Sequence, residues 1–129
     1  MFRCLMTGGA LAVVLASAAS AAEPPQGLFD DNCSACHQVT GKGVKGAFPA
    51  LAGAALVKGD KGVLASTVLT GRAGMPAFKD ELGDAELAGI LTYVRASWGN
   101  AASPVTPADI AAARVKSKAA RTARGLQAH

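Results

Sequence analysis

Cysteine and histidine are scarce in this chain of 129 residues, with three of the first and two of the second. Of these, Cys33, Cys36 and His37 fall together, while Cys4 stands near the start and His129 is the terminal residue. Tetrahedral zinc needs four ligands, and no second Cys or Cys/His pair follows the cluster, so a structural zinc site is disfavoured. Runs that alternate apolar and polar residues are missing, which argues against a sheet and for an all-α fold. Internal repeats are missing too. No apolar stretch reaches the ~20 residues that span a bilayer.

A balance of charge is also missing, and its distribution matters more than the net charge of +4. Residues 23–100 hold seven Lys/Arg against eight Asp/Glu, whereas residues 101–129 hold five against Asp109 alone. The positive charge therefore belongs to a tail, and a nucleic-acid-binding core is not indicated.

What is present is organised around Cys33-Ser34-Ala35-Cys36-His37. C-x-x-C-H reads as haem attachment: two thiols on one helical turn can each add to a vinyl group of one porphyrin, and the adjacent imidazole can bind its iron. A thioredoxin-like redox pair would need a βαβ context that is not seen, and a disulfide would leave His37 without a role. Upstream, Arg3, an apolar alanine-rich run from Gly8 to Ala16 and small-residue steps ending near Ala21 or Ala22 form the pattern of a cleaved signal peptide over residues 1–22. Cys4 would be removed with it. An export signal implies the periplasm. Residues 23–100 are then the candidate domain, of a size at which an apolar core is marginal and a bound cofactor would serve as a staple.

Along that domain, Gln26 to His37 predicts a first helix. Gly41, Gly43 and Gly46 predict a loop packed close to something flat, followed by Phe48-Pro49-Ala50-Leu51. Short helices are expected over Ala54 to Lys58 and from a cap at Asp60 to a stop at Gly71. Pro76 holds Met75 in extended backbone, suited to presenting a ligand. With Met1 and Met6 in the removed segment, Met75 is the one mature thioether, 38 positions beyond His37. A core methionine or a simple turn is the plainer alternative. A last helix is expected from an N-cap at Asp84 through Leu87, Ile90, Leu91, Val94 and Trp98 to Gly99. Beyond it, Ile110, Val115 and Leu126 look too few and too scattered to bury a face. Residues 101–129 therefore read as a solvated, partly helical basic tail, or else as an arm that docks electrostatically on an acidic partner or an anionic membrane.

Leu28-Phe29, the C-x-x-C-H run, Gly41, Gly43, Gly46, Pro49, Leu51 and Gly53, then Gly74-Met75-Pro76-Ala77-Phe78 and Tyr93-Val94, resemble the class I c-type cytochromes of bacteria. The resemblance covers roughly Gln26 to Asn100. It implies three to five helices around one haem c, with Cys33 and Cys36 as thioether residues, His37 and Met75 as axial ligands of the iron, and the Pro49 carbonyl accepting the His37 N–H. It further implies a non-enzymatic carrier of single electrons between redox partner proteins. The small cytochrome subunit of a periplasmic dehydrogenase, and a haem enzyme or sensor with a labile methionine, are the alternatives. Pro25 departs from the pattern, because many members have a helix-packing glycine there.

Overall fold

A computed structural model describes residues 23–127, which form six helical segments and no strand among those residues. The expected signal peptide, with Cys4, lies outside them. The architecture is all-α. Five segments precede Gly99, as α1 Pro25–Asn32, α2 Ser34–His37, α3 Ala55–Lys58, α4 Lys61–Thr70 and α5 Asp84–Ala96, and α6 Pro107–Gln127 follows. Two isolated bridges, Val44 with Phe48 and Arg72 with Met75, pin the loops.

The single helix expected from Gln26 to His37 is broken at Cys33, whose φ of −125° leaves the helical region. The Asn32 amide donates to the Leu28 carbonyl at 2.8 Å and the Ser34 hydroxyl to the Asp30 carbonyl at 2.6 Å, side-chain bonds that compete with a continuous ladder at this point. Pro25 occupies the first helical position, where its missing N–H costs nothing. Its ring packs on α5 opposite Gly89, where an added Cβ would sit 3.5 Å from the proline. The small residue at this crossing is thus on α5 rather than on α1, which accommodates the departure at Pro25.

The α4 helix starts as expected: the Asp60 carboxylate accepts from the Val63 N–H at 2.8 Å, and the helix stops at Gly71 with φ +74°. In α5 the expected cap is shifted. Gly83 is the N-cap, Glu86 accepts its N–H at 2.8 Å, and Asp84 lies one residue inside the helix. Leu87, Ile90, Leu91 and Val94 are buried as the helical spacing requires. Trp98 is not part of that helix. The chain leaves α5 at Ser97, whose hydroxyl and N–H both bond the Tyr93 carbonyl, and Trp98 takes φ +50° and folds back on the core. Its ring lies 5.4 Å from Phe29 and 5.9 Å from Tyr93, and Gly41 passes so close that a Cβ there would meet the indole at 2.4 Å.

The largest correction concerns residues 101–129. Val105, Ile110 and Ala113 belong to the buried core, with Ile110 fully enclosed, and α6 packs along α4 and α5. Ile110 does bury a face, because Ala113 completes the stripe that it begins. Val115 and Leu126, by contrast, are exposed. Thr106 and Asp109 exchange hydrogen bonds at the helix start, and Lys61 of α4 reaches the Asp109 carboxylate at 2.8 Å. Arg114 bonds the Asp84 carboxylate at 2.6 Å, the Leu82 carbonyl at 2.6 Å and the Lys79 carbonyl. Arg95, buried in α5, donates to the carbonyls of Val57, Gly59 and Ser103, so the negative end of α3 receives its charge.

Candidate functional site

The break between α1 and α2 places Cys33 at the bend and Cys36 one turn on, both half-buried and both free thiols. Burial, with the neighbouring Cys36 adding, pushes the Cys33 thiol up to about 11. His37 is the last residue of α2 and is buried. Its Nδ1 lies 2.9 Å from the Pro49 carbonyl oxygen. That contact assigns the proton to Nδ1, since a carbonyl can only accept, and leaves Nε2 with a free lone pair for a metal.

The loop that supplies this carbonyl is held from several directions. The Gly43 N–H donates to the His37 carbonyl at 3.0 Å, and the N–H groups of Leu51 and Ala52 both donate to the Gly41 carbonyl. Gly43, with φ +61°, lies so near the far side of the loop that a Cβ would be 2.4 Å from the Phe48 oxygen and 2.6 Å from that of Pro49. Only glycine permits this closure. Behind the loop, the buried Asn100 amide donates to Leu51 at 3.2 Å and to Val94 at 2.9 Å, and its oxygen accepts from the Gly53 N–H at 2.7 Å. Sequence reasoning assigned nothing to Asn100. Two of its three partners, Gly53 and Leu51, lie 47 and 49 positions away, a spacing with no local signature.

Met75 sits in a separate tight turn, in which Arg72 and Met75 exchange backbone hydrogen bonds of 3.3 and 2.9 Å. The turn is anchored where the Phe78 N–H meets the Val68 carbonyl of α4 at 3.1 Å, and Met75 packs half-buried on the core. The structure thus brings Cys33, Cys36, His37 and Pro49 into one unit. Met75 is tied to the same core through α4, and no hydrogen bond among the described residues links its turn to that unit.

The donor set suits an iron held largely by a porphyrin. Among the described residues no three His, Cys, Asp or Glu side chains converge as a metal cage. One buried imidazole, two thiols a turn apart and one thioether are instead a set for a ring that brings its own nitrogens. Apolar side chains stand ready nearby: Val44 and Phe48 are exposed on the loop that carries Pro49, beside a cavity of about 410 Å³ that Lys42 and Lys45 also line. Leu51, Leu56 and Val68 are only partly buried. Exposed apolar surface of this kind is what a flat hydrophobic ring would cover.

Comparison with known proteins agrees. Residues 20–94 match the family described as cytochrome C oxidase, cbb3-type, subunit III. The Cbb3-type cytochrome c oxidase subunit CcoP of Azospirillum brasilense is 40% identical over 83 residues, covering 59% of this chain and 28% of that protein. The cytochrome c subunit of the quinone alcohol dehydrogenase of Gluconobacter oxydans (strain 621H) is 34% identical, covering 64% of this chain and 20% of its own length. The gluconate 2-dehydrogenase cytochrome c subunit of Pantoea cypripedii is likewise 34% identical, covering 67% and 23%. The chain therefore spans between about a fifth and somewhat over a quarter of the length of these relatives. With the helical fold, the thiol and imidazole unit and the match over residues 20–94 in hand, the chain belongs to the c-type cytochromes, in the family described as cytochrome C oxidase, cbb3-type, subunit III.

Proposed function

We propose that this electron-transfer cytochrome is a periplasmic, class I type protein with a single covalent haem c, attached through Cys33 and Cys36 and ligated by His37 and Met75. The observation that carries the proposal is the 2.9 Å contact of His37 Nδ1 with the Pro49 carbonyl, made from a short helix that holds Cys36 and has Cys33 at its N-cap. When bound, the haem supplies a one-electron Fe(III)/Fe(II) couple. The protein is an electron carrier and not itself an enzyme.

The chain's own residues set the conditions of that couple. Pro49 orients the imidazole and fixes its tautomer, so Nε2 is always the free nitrogen. Gly43 and Asn100 hold the Pro49 loop in place. Met75 offers a neutral, soft thioether, which favours the reduced metal, and the apolar surroundings disfavour the extra charge of the oxidised one. Export would be directed by residues 1–22, and N-terminal sequencing of the periplasmic protein should begin near Ala22 or Glu23.

The test is a visible spectrum of the oxidised, haem-loaded protein and of Met75→Ala. The wild type should show the weak far-red band of an iron–thioether bond, and the variant should lose it while keeping the haem covalently attached. A wild-type spectrum without that band would move the reading to an open-site haem enzyme or sensor. The relatives also support a second reading, in which the chain works as the cytochrome component of an oxidase or dehydrogenase complex. Co-purification of the holoprotein with a larger catalytic subunit would favour it.

A further inference from the structure

The inner stripe of α6 changes character where the core beneath it ends. Residues 113, 114, 117, 121 and 124 stand three, four, seven, eleven and fourteen positions beyond residue 110, so the six share one face of the helix. Ile110 and Ala113 are buried, Arg114 binds the segment from Lys79 to Asp84, and Ser117 is half-buried. From Lys118 to Gln127 every residue is exposed. There the stripe carries Arg121 and Arg124, with Lys118 one step to its side, and no acidic residue follows Asp109 in the sequence.

Position and charge both bear on what the overhang meets. Arg114 fastens α6 to the segment that directly follows the Met75 turn. Arg121 stands about two turns beyond Arg114 on the same face of the helix. Arg124 lies one turn further out. Like charges three residues apart, Lys118 with Arg121 and Arg121 with Arg124, repel one another on an isolated helix. An opposing negative surface would relieve that repulsion.

We propose that Lys118, Arg121 and Arg124 form a docking surface for an acidic face of a redox-partner protein, and this rests on the electron-transfer reading above. A lipid surface is the poorer match. Helices that lie in a membrane interface oppose their cations with a broad apolar face. Beyond Arg114 the large apolar residues of α6 are Val115 and Leu126, and apart from the cations the remainder is Ala with Ser117, Thr122, Gly125 and Gln127. A cationic stripe without an apolar face fits charge complementarity between proteins, which acts mainly on the rate of encounter.

The test uses the oxidised holoprotein and, as an acidic one-electron donor, reduced flavodoxin. Its reduction rate should fall as salt rises from about 10 mM to about 500 mM, as screening shortens the reach of the charges. The triple variant Lys118→Glu, Arg121→Glu, Arg124→Glu should react about 10-fold more slowly at low salt and lose most of that salt dependence. The glutamine triple should fall between, with an unchanged helical signal in circular dichroism. Arg121→Glu and Lys116→Glu alter net charge equally, yet only the first, on the stripe, should slow the reaction. An unaltered rate in the triple variant, equal slowing by both single reversals, or a wild type indifferent to salt would overturn the docking surface. So would wild-type binding to phosphatidylglycerol vesicles that the triple variant loses while its reaction with flavodoxin stays unchanged. Reduction by neutral hydroquinone should be equal in all variants, and a wild type that hydroquinone cannot reduce would overturn the electron-transfer reading itself.

Discussion

Gly43 and Gly46 share a loop and a positive φ, of +61° and +81°, but differ in their neighbours. Alanine at 46 meets nothing within 4 Å, so it should cost only the left-handed strain of about 1 kcal/mol. Alanine at 43 adds a clash with two backbone carbonyls that cannot yield, and should cost about 3 kcal/mol. Guanidinium unfolding of the two holoproteins measures the contrast, and equal losses would remove the close approach from the explanation. Because one of those carbonyls belongs to Pro49, the Gly43 variant should also disturb the His37 ring. At the proposed second ligand, Met75→Ala should lower the reduction potential by a sizeable part of the roughly 0.8 V over which axial ligands act. Potentiometric titration reads it, and an unchanged potential would show that the Met75 sulfur is not bound. The C-x-x-C-H run and Met75 were legible as residues because their types are chemically specific. Asn100 and Arg95 were not, since ordinary polar residues acquire meaning only from distant carbonyls.

At the scale of elements, α6 is held by an apolar stripe, an arginine clamp and one ion pair. Ile110→Ala, at a fully enclosed position, should cost about 3 kcal/mol. Arg114→Ala, which gives up three partly exposed hydrogen bonds, should cost about 2 kcal/mol. The Asp109 carboxyl is drawn down to about 2, chiefly by its hydrogen bond from Lys61 and then by those from Thr106. A lowered folded value means that this stabilisation is complete above the ordinary carboxylate range near 4 and fades as pH falls through about 2. The stability difference between wild type and Asp109→Asn should therefore shrink across that window in acid titrations followed by helix content. A difference that persists below pH ~2 would assign the effect to something other than ionisation. The existence of α3, α4 and α5 was legible in spacing and in glycines near their ends, and the full length and packing of α6 were not. Boundaries were less so: Cys33 breaks the first helix and Gly83 displaces Asp84 from the cap, because side-chain hydrogen bonds decide such ends.

For the whole molecule, the body extends past Gly99, and truncations should find where it stops. Ending the chain after Ser117 removes, among the described residues, only exposed ones and should change stability by less than about 1 kcal/mol. Ending it after Ser103 uncovers the faces of α4 and α5 that Val105, Ile110 and Ala113 protect, at a cost on the order of 5 kcal/mol. Thermal melts of the two holoproteins test this, and equal melting would show that α6 does not belong to the folded unit. The division also matters for partner binding, since only the outer truncation separates docking from folding.

The amino-acid sequence by itself determined the helical class, the thiol and imidazole cluster, the single thioether of residues 23–129 and the split of charge between residues 23–100 and 101–129. Each is local, written in residue type or in spacings of a few positions, where hydrophobic periodicity and side-chain chemistry can be read directly. Tertiary structure alone decided that the basic segment joins the core, that Asn100 secures the loop behind Pro49 and that Arg114 fastens α6 to the segment from Lys79 to Asp84. Ile110 and Ala113 are weak as a pattern along the chain, and they become a buried face only because α4 and α5 supply a surface to cover. Burial is a property of both partners, and a single segment states only half of it.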